Sequence, residues 1–368
     1  MIILNLIKVG AIWLCDLINK LHDPFETGVL PTTTVDLPTL ETQLFSHLQA
    51  HNVSLGGFAY QVPMPSDYGD FALFQGLYVA MLAFKGADTT DALVVLKNLF
   101  VDGILIRGIR SDCTLNDTTS NDSGTGAIFG LWAVDDSKTA AKWAQRICDS
   151  GYALTDLKGV PTEYGQLEAG WKTDPLRITL LLAILALARK ADSTFNDHYN
   201  KLYAKYKLIL AYPKVKLLWW DADYDTHRAA IHLHILYKLT NDEIYAKGLR
   251  RIHRIMQKIR NPWVETLCSP ALTHAEVDLA ELYTFTYEDR IKGAIESINS
   301  NTAKGVQWGS NIRAIQVLPM NKRGSQEFFW QRSMLSLDEW VGLKEPYIWH
   351  SGLDFLICYW LAKKEGLL

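Results

Sequence analysis

The chain has 368 residues, 48% of them hydrophobic, with a formal net charge of −3. That describes a globular chain able to bury a large core. No run of lysine or arginine exceeds a pair, as in "LRRIHRIMQKIR", so a nucleic-acid partner is not expected. Cys15, Cys113, Cys148, Cys268 and Cys358 are scattered, odd in number and free of C-x-x-C spacing, which speaks for reduced, packed thiols.

The chain opens on "MIILNLIKVGAIWLCDLINK". Lys8 interrupts the apolar run and bulky Trp13 and Leu14 precede Cys15, so neither a signal peptide nor a lipoprotein anchor is expected. Leu4, Ile7, Ala11, Leu14 and Ile18 fall at helical spacing, which predicts that residues 1–25 form an amphipathic helix packed on a single domain spanning 1–368. The cytoplasm is then the default location, with phage association or non-classical export as alternatives. The longest apolar run, "ITLLLAILALA" at 178–188, is too short to span a bilayer, and no membrane insertion is expected.

Helical periodicity follows almost without break, at about 38–51, 70–85, 90–101, 123–134, 137–150, 174–191, 195–211, 224–239, 241–259, 273–284, 286–299 and 348–364. Residues 300–332, with "GVQWGSNIRAIQVLP", predict a short β-hairpin insertion. The helices alternate in character. Those starting near Asp70, Asp122, Asp174, Asp223, His274 and His350 are apolar on nearly all faces and belong inside, whereas those between them, such as "TAAKWAQRICDSG", carry a charged face. Trp132 and Trp360, within apolar helices, read as core. The inner starts follow one another at 52, 52, 49, 51 and 76 residues, the last step lengthened by the insertion. A period near fifty residues is one helical hairpin with its loops, and six such hairpins predict an all-α fold, an (α/α)6 toroid.

In this alternation and in the pattern of inner starts, residues 36–365 resemble the six-hairpin glycosidase-like superfamily of (α/α)6 barrels. The resemblance implies a carbohydrate-active enzyme with its site where the N-termini of parallel inner helices converge. Loops at those starts are unusually furnished: "MPSDYGDFALFQG" with Asp67, Tyr68 and Asp70; "LNDTTSNDSGTG" with Asn121 and Asp122; "EYGQLEAGWKTDPLR" with Trp171, Asp174 and Arg177. Further on come "LWWDADYDTHRAAIHLHIL" with Trp220, Asp223, Tyr224, His227 and Arg228, then "SPALTHAE" with His274, then "KEPYIWHSGLDF" with Trp349 and His350. Each aspartate alone reads as a helix cap. Capping needs only one small polar residue, however, and the added Trp, Tyr and Arg suit sugar rings and hydroxyls.

Glycoside hydrolysis needs a protonated and an ionised carboxyl group, and Asp70 and Asp122 head successive inner helices. Some unsaturated-uronyl hydrolases of the superfamily place their aspartates similarly, so the expectation is a glycoside hydrolase using this pair on a poly- or oligosaccharide. Asp67, Tyr68, Trp171, Asp174, Arg177, Trp220, Asp223, Arg228, His274, Trp349 and His350 are then expected to bind substrate. One alternative is a polysaccharide lyase, eliminating across a uronate with Tyr224, His227 and Arg228, joined by Asn121 and His274. Another is a non-catalytic toroid that binds glycan or protein in a virion or envelope. His232 and His234, on the apolar face that follows, read as core histidines. No H-E-x-x-H, C-x-x-C, EF-loop or P-loop spacing occurs, so neither metal nor cofactor is expected.

Overall fold

The structure, a computed structural model, describes residues 35–51, 53–54, 57–58, 71–109, 115–168, 175–213, 222–283, 306–308, 311–313 and 353–368. The expected helices at 1–25 and 286–299 lie outside the described residues, as do Asp67, Tyr68, Asp70, Trp171, Asp174, Trp220, Trp349 and His350. The described residues hold twelve α-helices and a few short strands, an all-α architecture. They divide into two compact units, His47–Pro213 with Ile231–Gly248, and Met1–Ser46 with Lys214–Ala230 and Leu249–Leu368. Helix α1 (Leu37–His51) runs across that division.

The first unit is three helical hairpins. They are α2 (Phe71–Lys85) with α3 (Thr90–Asn98), α4 (Asn121–Ala133) with α5 (Ser137–Asp149), and α6 (Pro175–Ala188) with α7 (Phe195–Ala211). Inner helix α2 is buried from Ala72 to Leu82, and α6 from Ile178 to Ala188. Outer helix α5 buries only Ala140, Trp143, Ala144 and Ile147, one i, i+3, i+4, i+7 stripe. Apolar character all round thus goes inside, and a single stripe goes at the edge. Trp132, expected as core, is half-buried on α4, with its ring stacked on Phe129 at 5.5 Å.

Ahead of α2, Val53–Ser54 (β1) pairs with Gly57–Phe58 (β2), and between α3 and α4 the chain makes two further tight antiparallel pairs. Phe100–Val101 (β3) pairs with Ile104–Leu105 (β4), and Gly108–Ile109 (β5) with Leu115–Asn116 (β6). Asp102 and Gly103 turn the first pair with φ of 50° and 80°. Asp-Gly between apolar residues is the sequence that a two-residue hairpin with positive φ selects, so the helix expected to reach residue 101 stops at Asn98. Ala153–Thr155 (β7) and Pro161–Gln166 (β8) form the corresponding pair before α6.

In the second unit, α8 (Ala222–Thr240) and α9 (Glu243–Met256) both run across the division between units. Here one expectation is corrected. Among the described residues of 273–284 no single helix forms; His274–Glu276 is a single exposed 3-10 turn, and helix resumes there at Ala280–Tyr283 (α11). The wholly buried helix is instead α10 (Pro262–Cys268), capped by Asn261, whose Oδ1 accepts from Trp263 N at 3.0 Å. Asn followed by Pro at the first helical position is a start signal, and Pro270 ends the segment, but seven residues are too few for a period to stand out. Helix α10 packs on α12 (Leu353–Lys364). Trp360, expected as core, is half-buried on α12, and its Nε1 donates to Glu41 Oε1 at 3.1 Å. The expected insertion hairpin is present as Val306–Trp308 (β9) paired with Asn311–Arg313 (β10). Among the described residues, no helix is long and apolar enough to cross a membrane.

Candidate functional site

Glycines decide how α2 and α4 meet. A Cβ on Gly76 would lie 1.9 Å from the Gly126 carbonyl oxygen, one on Gly126 would lie 2.2 Å from Leu73 O, and one on Gly130 would lie 2.7 Å from Gly76 O. The two backbones therefore touch, which only glycine permits. Moving from Leu73 to Gly76 on α2 corresponds to moving from Gly126 to Gly130 on α4, so the helices run parallel and their N-termini share one end. Ala72 N bonds Arg107 O at 3.0 Å, and Arg107 N bonds Thr118 O at 2.8 Å, tying the start of α2 to the strand pair that feeds α4.

Helix α6 joins them through His232. Its Nε2 lies 3.0 Å from Thr125 Oγ1 and its Nδ1 3.0 Å from Thr179 Oγ1, with the ring fully buried. Thr125 and Thr179 each occupy the second turn of their helix, so the ring holds the early turns of α4 and α6 together. The Thr125 hydroxyl donates to Asn121 O at 2.8 Å, leaving its lone pairs for His232, so Nε2 carries the imidazole proton. This is a satisfied core histidine with a positioning consequence: it steadies the turn that carries Asn121 and Asp122. His234 is also buried and sits edge-on to Trp132 at 5.4 Å.

At this end Asp122 is not the cap. Ser120 is, with its Oγ accepting from Ser123 N at 3.2 Å, and half-buried Asp122 lies one residue into the first turn. Beside it Asn121, only 7% exposed, has a buried Oδ1 with no hydrogen-bond partner among the described residues; Thr119 Oγ1 is in the same condition. An orphaned buried acceptor costs about 1–3 kcal/mol and calls for a donor. Arg177, in the first turn of α6, donates from Nη1 to Gln166 O at 3.2 Å. Gln166 in turn donates to Glu168 O at 2.8 Å. Burial pushes the Glu168 carboxyl up, but bonds from Lys205 and Tyr206 outweigh it and hold the group below its ordinary range, so Glu168 is an ionised anchor.

The second unit holds the remaining described candidates. Asp223 and Tyr224 belong to the first turn of α8, with side chains outside the described residues. Arg228, 8% exposed, pairs with Asp225 one turn earlier. His227, 1% exposed, meets Asn261 Nδ2 through its Nε2 at 3.4 Å. Trp263 N–H already fixes Asn261 Oδ1 as acceptor, so the amide nitrogen faces His227 and occupies the Nε2 lone pair. A neutral imidazole has only that one acceptor, so His227 would have to leave Asn261 before it could take a substrate proton. His274 is exposed, and Thr273 and Glu276 beside it close a capping box. Asp354 heads α12 in a buried setting.

Sequence reasoning had no means to find two pairings in this unit. His253 Nε2 lies 3.0 Å from Glu265 Oε2, a buried pair formed by the end of α9 and the middle of α10, and Asn261 pairs with a histidine 34 residues earlier. The three described cysteines, Cys148, Cys268 and Cys358, form no disulfide. Among the described residues, no three His, Cys, Asp or Glu side chains are grouped to hold a metal. Compared with known proteins, the chain matches no family model, no curated protein and no solved structure.

Proposed function

We propose that this chain is a glycoside hydrolase acting on a poly- or oligosaccharide at the shared N-terminal end of α2, α4 and α6, with Asp70 and Asp122 as its two carboxyl groups. The observation that carries the reading is the start of α4, where Asn121, directly beside Asp122, keeps a buried Oδ1 with no hydrogen-bond partner among the described residues. A sugar hydroxyl, or a water held by one, is a donor of the kind that oxygen needs. A helix N-terminus favours an ionised carboxylate, which suits Asp122 to activating water or attacking the anomeric carbon. Asp70 immediately precedes Phe71 of α2 in the chain and has Asp67 three residues before it. Protonating the leaving oxygen is then the part that falls to Asp70.

The engaged Nε2 of His227 weighs against elimination, which needs a free base. Incubation with a panel of acidic and neutral polysaccharides, read at once for reducing ends and for the ultraviolet absorbance of an unsaturated uronic product, tests the reading. Hydrolysis predicts reducing ends without that absorbance, and a loss of at least about 100-fold in Asp122→Asn and Asp70→Asn with helix content unchanged. Absorbance appearing with the reducing ends would transfer the chemistry to elimination. Silence across the panel would leave a glycan- or protein-binding role.

A further inference from the structure

We infer that the outer side of the three-hairpin unit carries a second glycan site, a groove that takes an oligosaccharide bearing carboxylates; this rests on the carbohydrate reading above. A concavity of about 880 Å³ lies between the end of α3, the β3–β4 turn and the length of α5. Along one wall Lys138, Lys142 and Arg146 recur every four residues, hence about 6 Å apart in a single row. Like charges at this spacing destabilise a helix slightly, so the row is not there for the helix.

The neighbouring charges are mostly committed. Lys97 pairs with Asp136 at 2.8 Å, and Asp136 also accepts from Thr139 N at 3.1 Å as the cap of α5. Asp149 takes the Gln145 amide at 2.7 Å. Arg146 is held in place by its Nε donating to Asp102 O at 2.7 Å, across a turn whose Gly103 has no room for a Cβ beside Lys142 O at 2.9 Å. Lys138 and Lys142 are exposed and make no hydrogen bond or ion pair among the described residues. Phe100, braced edge-on against buried Trp143 at 5.4 Å, adds an apolar surface to the same groove. Two uncommitted ammonium groups one helical turn apart, with an aromatic ring at hand, suit a chain whose rings alternate with carboxylates. A compact single anion would use one lysine and leave the ring idle.

The test uses the full chain carrying Asp122→Asn, so that ligand is not consumed, and measures stoichiometry and affinity calorimetrically for an acidic oligouronate, a neutral oligosaccharide of equal length and inorganic phosphate. Adding Lys138→Ala and Lys142→Ala is expected to remove one oligouronate site per chain, weakening it at least about tenfold, and to reduce the salt dependence of oligouronate binding. Both lysines are exposed, so the fold is not at risk. Unchanged oligouronate stoichiometry in the double variant, a neutral-oligosaccharide site lost with the same two lysines, full competition by phosphate or no oligouronate binding would each overturn the groove. If Asp122→Asn still cleaves glycan while the second site behaves as expected, the catalytic assignment fails and the groove stands.

Discussion

His253 and Glu265 set a residue-scale expectation. Burial alone would push the His253 pKa down, but the Glu265 carboxylate 3.0 Å away, aided by Glu276, pulls it above the ordinary histidine value. Because the folded pKa is raised, the stability it contributes is fully present below the unfolded value near 6.5 and is lost as pH rises through the folded one. The melting temperature of the wild type should therefore fall across that window, and His253→Gln should flatten the fall. Parallel pH profiles for the two proteins would show that the pair does not titrate there. Little of this pair was legible in the sequence, because both residues look ordinary in their own segments. Asp122, by contrast, stood out from its company, and even the Ser120 cap can be read from "TTSNDSG" once the helix start is known.

At the scale of elements, the contact of α2 with α4 depends on three glycines. An alanine in mid-helix is ordinarily worth up to about 1 kcal/mol over glycine. At Gly76 the added carbon would meet the backbone carbonyl of Gly126, which can yield only if the helices part. Gly76→Ala should thus destabilise by about 1–3 kcal/mol or more despite its better propensity, read as a lower denaturant midpoint. A midpoint equal to or above wild type would mean that the helices do not touch there. Helix existence was legible from periodicity because burial is repeated over three or more turns. The misreadings were short segments: the Asp-Gly hairpin at 102–103, seven-residue α10, and the apolar spacing of "AEVDLAELY", where a capping box at Thr273 and Glu276 starts only one turn.

For the whole molecule, the two compact units are discontinuous in sequence, and α1, α8 and α9 each belong partly to both. The three-hairpin unit includes Ile231–Gly248, which supplies His232 between Thr125 and Thr179. Tyr245 in the same stretch bonds Tyr199 of α7 at 2.6 Å. A fragment ending at Pro213 would leave those seats empty in a buried region. Expressed as residues 47–213, it should keep helical circular dichroism but lose the near-ultraviolet signal and cooperative melting. A sharp transition in that fragment would show that the three hairpins fold without the later helices.

The sequence by itself determined that this chain is helical, which faces are buried and where polar side chains gather at helix starts. These follow from local periodicity and capping, where each residue's environment is set within a turn or two. Only the tertiary structure decided which starts share an end and that His227 is engaged by Asn261. Those outcomes depend on partners far away in the chain, 107 residues apart for Thr125 and His232, and on backbone contacts at Gly76 and Gly126. Close packing selects one arrangement among many that the same apolar pattern would permit.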